Sequence, residues 1–221
     1  SLALTAAHLV RALIGEAAGR GPDTAKIAFS GGSTPRIMNR HLANLDVPWD
    51  RVEVFWVDER FVPYDSPRSN YGAAREDLFS RITAPRVHAM PTSGDAGAAA
   101  RDYNARIRET WGGKAPVFDV VLLGIGDDGH TASLFPEEPF VDDESAHVLA
   151  IPPNGAREAR LTLSRPVITA ARRVVVLAQG AAKKEPIARA RSEGSRRQTP
   201  ARITRECRGE VLWLVDQAAS P

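Results

Sequence analysis

Apolar positions along the chain gather in short runs separated by longer stretches of helical spacing. "KIAF" (26–29), "VEVFWV" (52–57), "FDVVLLG" (118–124), "HVLAI" (147–151), "RVVVLA" (173–178) and "EVLWLV" (210–215) predict strands, each short and rich in β-branched or aromatic residues. "VVLL" and "VVVL" do not alternate with polar residues, as expected of strands covered on both faces of a parallel sheet. Helical spacing falls between them, at 36–45, "NYGAAREDLFSRI", "DAGAAARDYNARIRETW" and "AAKKEPIARARSEG". Repeated strand–helix alternation predicts an α/β fold: a doubly wound, mostly parallel, Rossmann-like sheet with helices on both faces. "IPPNGAREARLTLSRP" interrupts that rhythm and predicts a small β excursion near 151–166. With neither an internal repeat nor a low-complexity linker, residues 1–221 read as a single domain.

Composition narrows the picture little. Of 221 residues, 43% are hydrophobic and 25% charged, the balance of a folded globular chain. The net charge of +2 gives no electrostatic reason to expect nucleic acid. Arginines do cluster in "RARSEGSRRQTPARITRECRG" (189–209), a run that reads as solvated helix and loop, with phosphate steering as the minority reading. Cys207 is the only cysteine, so an intrachain disulfide is impossible and a reducing, cytoplasmic compartment is expected. Its charged neighbours make it a poor catalytic thiol. No stretch reaches the roughly 20 continuous apolar residues of a membrane span. The opening "SLALTAAHLVRALIGEAAG" reads as an amphipathic helix rather than a signal peptide. It begins without Met and inside the helical pattern, which points to a short preceding segment.

In open α/β sheets ligands bind beyond the carboxyl ends of the strands, so the residues after each strand carry the candidate chemistry. After "KIAF" comes "SGGSTP". Gly31 and Gly32 let backbone N–H groups approach an oxygen at a helix N-terminus, while Ser33 or Thr34 as N-cap and Pro35 in the first turn also explain it as an ordinary helix start. Neither a Walker ending nor a G-x-S-x-G elbow is present, so Ser33 is not a nucleophile. After "VEVFWV" come Asp58, Glu59 and Arg60, the last a planar fork suited to phosphate or carboxylate. Ser69 and Asn70 stand where a helix begins, and capping alone explains them.

"GIGDDGHTASLFP" (124–136) offers two readings. Its G-x-G-x-x-G spacing suggests a dinucleotide loop, but Asp127 and Asp128 would set two carboxylates beside a pyrophosphate. The acidic residue expected about 20 positions on is replaced by the prolines of "HVLAIPP". In the alternative the glycines shape a tight turn that projects His130 beside Asp128. A free histidine titrates near 6.5, which suits acid–base work at neutral pH. No Cys/His or H-x-x-x-H spacing suggests a metal. Lys183, in the first turn after a late strand, is electrostatically misplaced at a helix N-terminus unless an anion binds there too.

"SGGSTP", "VDER", "SNYG", "GIGDDGHTASLFP", "RLTLS" and "GAAKK", in this order, resemble the 6-phosphogluconolactonases over about residues 1–216. The wider superfamily includes glucosamine- and galactosamine-6-phosphate isomerases and deaminases, whose motif resembles "DGH-I-A-F-N-E-P". Phe135 stands where a deaminase carries its catalytic glutamate. The resemblance implies hydrolysis of 6-phospho-D-glucono-1,5-lactone without cofactor or metal, its partner being the small phosphosugar lactone. It implies His130 as the base, Asp58 as an acidic member of the site, and Gly31, Gly32 or Arg60 as oxyanion donors. Lys183 with Arg60 would hold the 6-phosphate, and Arg160 matches a recurrent family arginine that contacts substrate. Ser33, Asn70 and Asp128 complete the substrate-binding set, and whether Asp58 or Asp128 supports the base is left open. Ala181-Ala182 replace the family's usual acidic pair before the lysine. The chain is expected to act as a monomer, with a dimer as alternative. A phosphosugar isomerase or deaminase is the rival enzyme, a sugar-phosphate binding module a further alternative, and a dinucleotide oxidoreductase is disfavoured by the acidic loop.

Overall fold

A computed structural model describes residues 1–221 except Pro22 and Ala84. In chain order the elements are α1 (Leu2–Gly19), β1 (Ala25–Phe29), α2 (Ser33–Leu42), β2 (Val52–Trp56), β3 (Asp58–Arg60), α3 (Asn70–Asp77), β4 (Arg86–Val87), α4 (Ala96–Thr110), β5 (Val120–Leu123), β6 (Val148–Ile151), β7 (Arg160–Leu163), α5 (Arg165–Thr169), β8 (Arg173–Ala178), α6 (Lys184–Arg191) and β9 (Glu210–Val215).

Six strands form an all-parallel sheet in the order β4-β2-β1-β5-β8-β9. The chain runs outward from β1 to β4, then restarts at β5 and runs outward to β9. With right-handed crossovers, the connections of the two halves fall on opposite faces of the sheet. Both faces are covered, which is why β5 and the Val174–Ala178 stretch of β8 are wholly buried and need no polar alternation. β1 and β5, neighbours running to opposite halves, open a crevice at their carboxyl ends.

The six strand runs do not all enter this sheet. Residues 147–151 supply β6, which pairs antiparallel with β7 to make the β excursion, beginning at Val148 rather than 151. "DER" is itself a strand, β3, antiparallel to β7. Val57 is the corner between the two sheets: its N–H donates to Phe29 in the main sheet (2.8 Å) and its carbonyl accepts from Leu163 in the small one (2.7 Å). The free edge of β6 is closed by Asn104 of α4, whose amide accepts from His147 and Val148 and donates to Val148. An edge satisfied by a side chain offers no template for further strand pairing.

α1 is 18 residues long and apolar enough by composition to cross a membrane. Its buried stripe (Ala3, Ala6, Ala7, Val10, Leu13, Ile14) recurs at helical spacing and packs into the main core, while Ala17 and Ala18 pack against Ala25. The arginine-rich 189–209 segment is tied down by specific contacts. Arg196 and Arg197 share Asp142, and Arg196 also reaches Glu206. Arg202 caps backbone carbonyls of Arg189 and Ser195. Cys207 is half-buried, and burial, reinforced by Glu206, pushes its thiol up to about 12.

Candidate active site

A cleft of about 270 Å³ lies over the carboxyl ends of β1, β5 and β8. It is lined by Gly31, Gly32, Ser33, Asp58, Arg60, Asn70, His130, Arg160 and Lys183, so every site residue expected from the sequence except Asp128 faces one space. Asp128 stands behind His130.

The turn after β5 is closed by its own backbone: the Gly129 N–H donates to Gly126 and the Gly126 N–H donates to His130, both at 2.9 Å. Gly129 has φ of 89°, a conformation only glycine adopts without strain. Gly126 is required for a different reason, because a Cβ there would overlap His130 and the Asp128 carboxylate. Gly124 has open space around it.

His130 Nδ1 lies 2.6 Å from Asp128 Oδ1, which also accepts the His130 backbone N–H at 3.0 Å. Partial burial opposes ionisation of Asp128, but the hydrogen bonds from His130 outweigh it and hold the carboxyl at about 2. A carboxylate on Nδ1 fixes that nitrogen as the N–H donor and leaves Nε2 as the ring's basic nitrogen. Of the two carboxylates considered from the sequence, Asp128 is therefore the one that orients the histidine. Asp58 is buried and otherwise engaged: its Oδ2 accepts the Ser133 hydroxyl at 2.6 Å, with Arg160 4.0 Å away. That bond ties the segment following His130 to β3.

The other wall is organised by Glu59, a residue the sequence left without a role. Its buried carboxylate accepts the backbone N–H groups of Arg60, Asn70 and Tyr71 and the Ser69 hydroxyl. Burial pushes this carboxyl upward while those backbone donors favour its ionised form. Ser69 caps α3 through Gly72, as expected. Asn70 does not cap; its amide donates to the Asp58 carbonyl and lies where any side chain at Gly31 would have to go. Ser33 is not an N-cap either. α2 begins at Ser33 with Gly32 (φ 115°) in the cap position and no side chain on the first-turn N–H groups. They stay available to an anion at the cleft.

Lys183 sits in a 3-10 turn before α6 rather than in the first turn of an α-helix, and its Nζ contacts Asp127 Oδ1 at 2.6 Å. Asp127 thus relieves part of the electrostatic misplacement expected of a lysine there. Arg60 donates to the Arg68 carbonyl at 2.6 Å. Phe135 is 8% exposed, its ring centroid 4.7 Å from that of His130. Sequence reasoning had no signal for Arg157, which covers the same ring, or for Ser133, whose partner is 75 residues away. Among the described residues no group of three or more His, Cys, Asp or Glu side chains is placed to hold a metal ion.

Fold and cleft together define a doubly wound α/β protein whose oriented histidine, open helix N-terminus and cationic rim share one crevice. The sequence pattern of the family described as "Glucosamine-6-phosphate isomerases/6-phosphogluconolactonase" matches residues 1–213. The 6-phosphogluconolactonase of Synechocystis is 39% identical over 200 residues, covering 87% of this chain and 82% of its own. A solved 6-phosphogluconolactonase from Trypanosoma brucei superposes with a TM-score of 0.83 at 30% identity, over 99% of this chain and 93% of its own. A monomeric glucosamine-6-phosphate deaminase reaches a TM-score of 0.79 at 22% identity over 99% of this chain and 94% of its own, a likeness of architecture alone. The chain belongs to the glucosamine-6-phosphate isomerase/6-phosphogluconolactonase family.

Proposed function

We propose that this chain hydrolyses 6-phospho-D-glucono-1,5-lactone to 6-phospho-D-gluconate in the oxidative pentose phosphate pathway, acting in the cytoplasm as a monomer. The observation that carries the reading is the His130–Asp128 pair facing a cleft whose other walls are an uncapped helix N-terminus and cationic side chains. His130 Nε2 takes a proton from water as its oxygen attacks the lactone carbonyl. The negative charge developing on the carbonyl oxygen is met by the Gly31–Gly32 amides or Arg60. Collapse of the tetrahedral species breaks the bond to the ring oxygen, which leaves with the proton returned by His130. A base so placed contributes roughly 10²–10⁴-fold.

The 6-phosphate is read as lying against Lys183 and Arg60, beside the first turn of α2, with Arg160 as a further substrate contact. Lys183 would then exchange Asp127 for the phosphate when substrate binds. The rival deaminase needs an acid where Phe135 stands. Two measurements test the reading. Lys183→Ala should raise KM about tenfold or more for the phosphorylated lactone, since charge-assisted contacts are worth about 1.5–3 kcal/mol, and scarcely change turnover of unphosphorylated gluconolactone. Equal effects on both would remove Lys183 from the phosphate site. Release of ammonia from glucosamine-6-phosphate by the wild type would favour the deaminase instead.

A further inference from the structure

His130 is held at one point by Asp128, a carboxylate that is itself half exposed at 51%. One ring hydrogen bond to a half-exposed partner does not fix the plane of an imidazole. The second constraint is Phe135, whose ring meets that of His130 at 4.7 Å with the planes at 40°. The same phenyl ring carries the guanidinium of Arg157, its central carbon 3.8 Å from the centroid. Arg157 belongs to the tip of the β6–β7 hairpin, where it exchanges two 3.0 Å backbone hydrogen bonds with Asn154. Its Nη2 donates to Glu138, which also accepts from Asn154. Glu138 follows Phe135 by three residues, so one arginine grips both the ring and the segment that carries it.

We propose that Arg157 is a positioning residue for the reaction: stacked on Phe135 and anchored by Glu138, it clamps the phenyl ring against His130 and so sets the angle of the base. Contact then runs from the hairpin tip through Arg157 and Phe135 to His130. The proposal rests on the reading of His130 as the base. Stacking requires a flat cation, so Lys at this position keeps the charge and loses the clamp.

The test is a cycle of Arg157→Ala, Phe135→Leu and the double variant, with Arg157→Lys as the conservative member that protects against misfolding. kcat and KM on the phosphorylated lactone and the NMR signals of the His130 imidazole are measured for each. Arg157→Ala should lower kcat about tenfold, leave KM within about twofold, and shift or broaden the His130 resonances. The double variant should be no slower than the worse single one, because both act through one contact, and Arg157→Lys should restore little. Three results would overturn the proposal: a rise in KM with kcat intact, which marks a substrate contact; losses that add across the cycle; or a lowered melting temperature with kcat and His130 signals unchanged. If the wild type does not hydrolyse the lactone, the functional reading fails, and the NMR comparison still decides whether Arg157 and Phe135 hold the imidazole.

Discussion

Replacing Gly126 by Ala puts a single methyl group against the His130–Asp128 pair. The backbone at Gly126 lies outside the left-handed region, so alanine fits it without strain. What the methyl meets is His130 Nδ1 and Cε1 and Asp128 Oδ1, all well inside van der Waals contact. The pair must move by about 1 Å or more, and a misplacement of that size costs on the order of 100-fold in rate. Folding should suffer little. His130 and Asp128 are 33% and 51% exposed and can swing toward solvent, so the cost falls at the low end of overpacking, about 1 kcal/mol. In a chain of this length that is a melting temperature lower by about 2–4 °C. Gly124→Ala, in open space, should leave the melting temperature unchanged; Gly129→Ala should lower it by more, because φ of 89° adds about 1–2 kcal/mol of strain and Thr199 obstructs the new methyl. The assay is initial-rate lactone hydrolysis beside thermal melts of the three variants. Wild-type kcat/KM in a folded Gly126→Ala protein would refute the account of why glycine stands there.

Asp128 supplies a pH prediction. Its carboxyl is depressed from 3.8 to about 2 in the folded state, so its contribution to stability is complete above about 4 and is lost progressively as pH falls from there through about 2. A carbon-detected NMR titration should place its midpoint near 2; a midpoint at 3.5 or above would break the hydrogen-bonded pair as described. Cys207, pushed to about 12 by burial with Glu206 adding to the effect, should resist alkylation at pH 8 until the protein is unfolded. Rapid labelling of the native protein would contradict that.

How much of this was legible in the sequence depended on the range of the interaction. Uninterrupted "VVLL" and "VVVL" announced buried parallel strands because burial on both faces is a local compositional demand. "HVLAI" carries the same apolar signal yet belongs to the antiparallel hairpin, since apolarity records burial and not the partner strand. β4, two residues long, gave no pattern to read. The four glycine-rich or polar loops do converge on one cleft, as a parallel sheet with its carboxyl ends on one side allows. Which acid orients His130 was undecided, because Asp58 and Asp128 both stand at strand ends. Geometry separates them by giving Asp58 to Ser133 and Asp128 to His130. Ser33 looked like a cap because its residue type caps well, but Gly32 holds that position. Arg157 was invisible much as Ser133 was: the side chains it engages, Phe135 and Glu138, are not its neighbours along the chain. The G-x-G-x-x-G spacing of 124–129 resolves into three glycines with three different surroundings, only one of them a positive-φ turn position.

The role proposed for His130 is that of a base acting on a phosphosugar lactone. It is tested most directly by following acid release from freshly generated 6-phosphogluconolactone with the wild type and with His130→Ala, at constant pH and matched protein concentration. Hydrolysis is expected far above the buffer rate for the wild type, with a loss of about 10²–10⁴-fold for the variant and the melting temperature little changed. Hydrolysis no faster than in buffer, or a His130→Ala protein as active as the wild type, would contradict it.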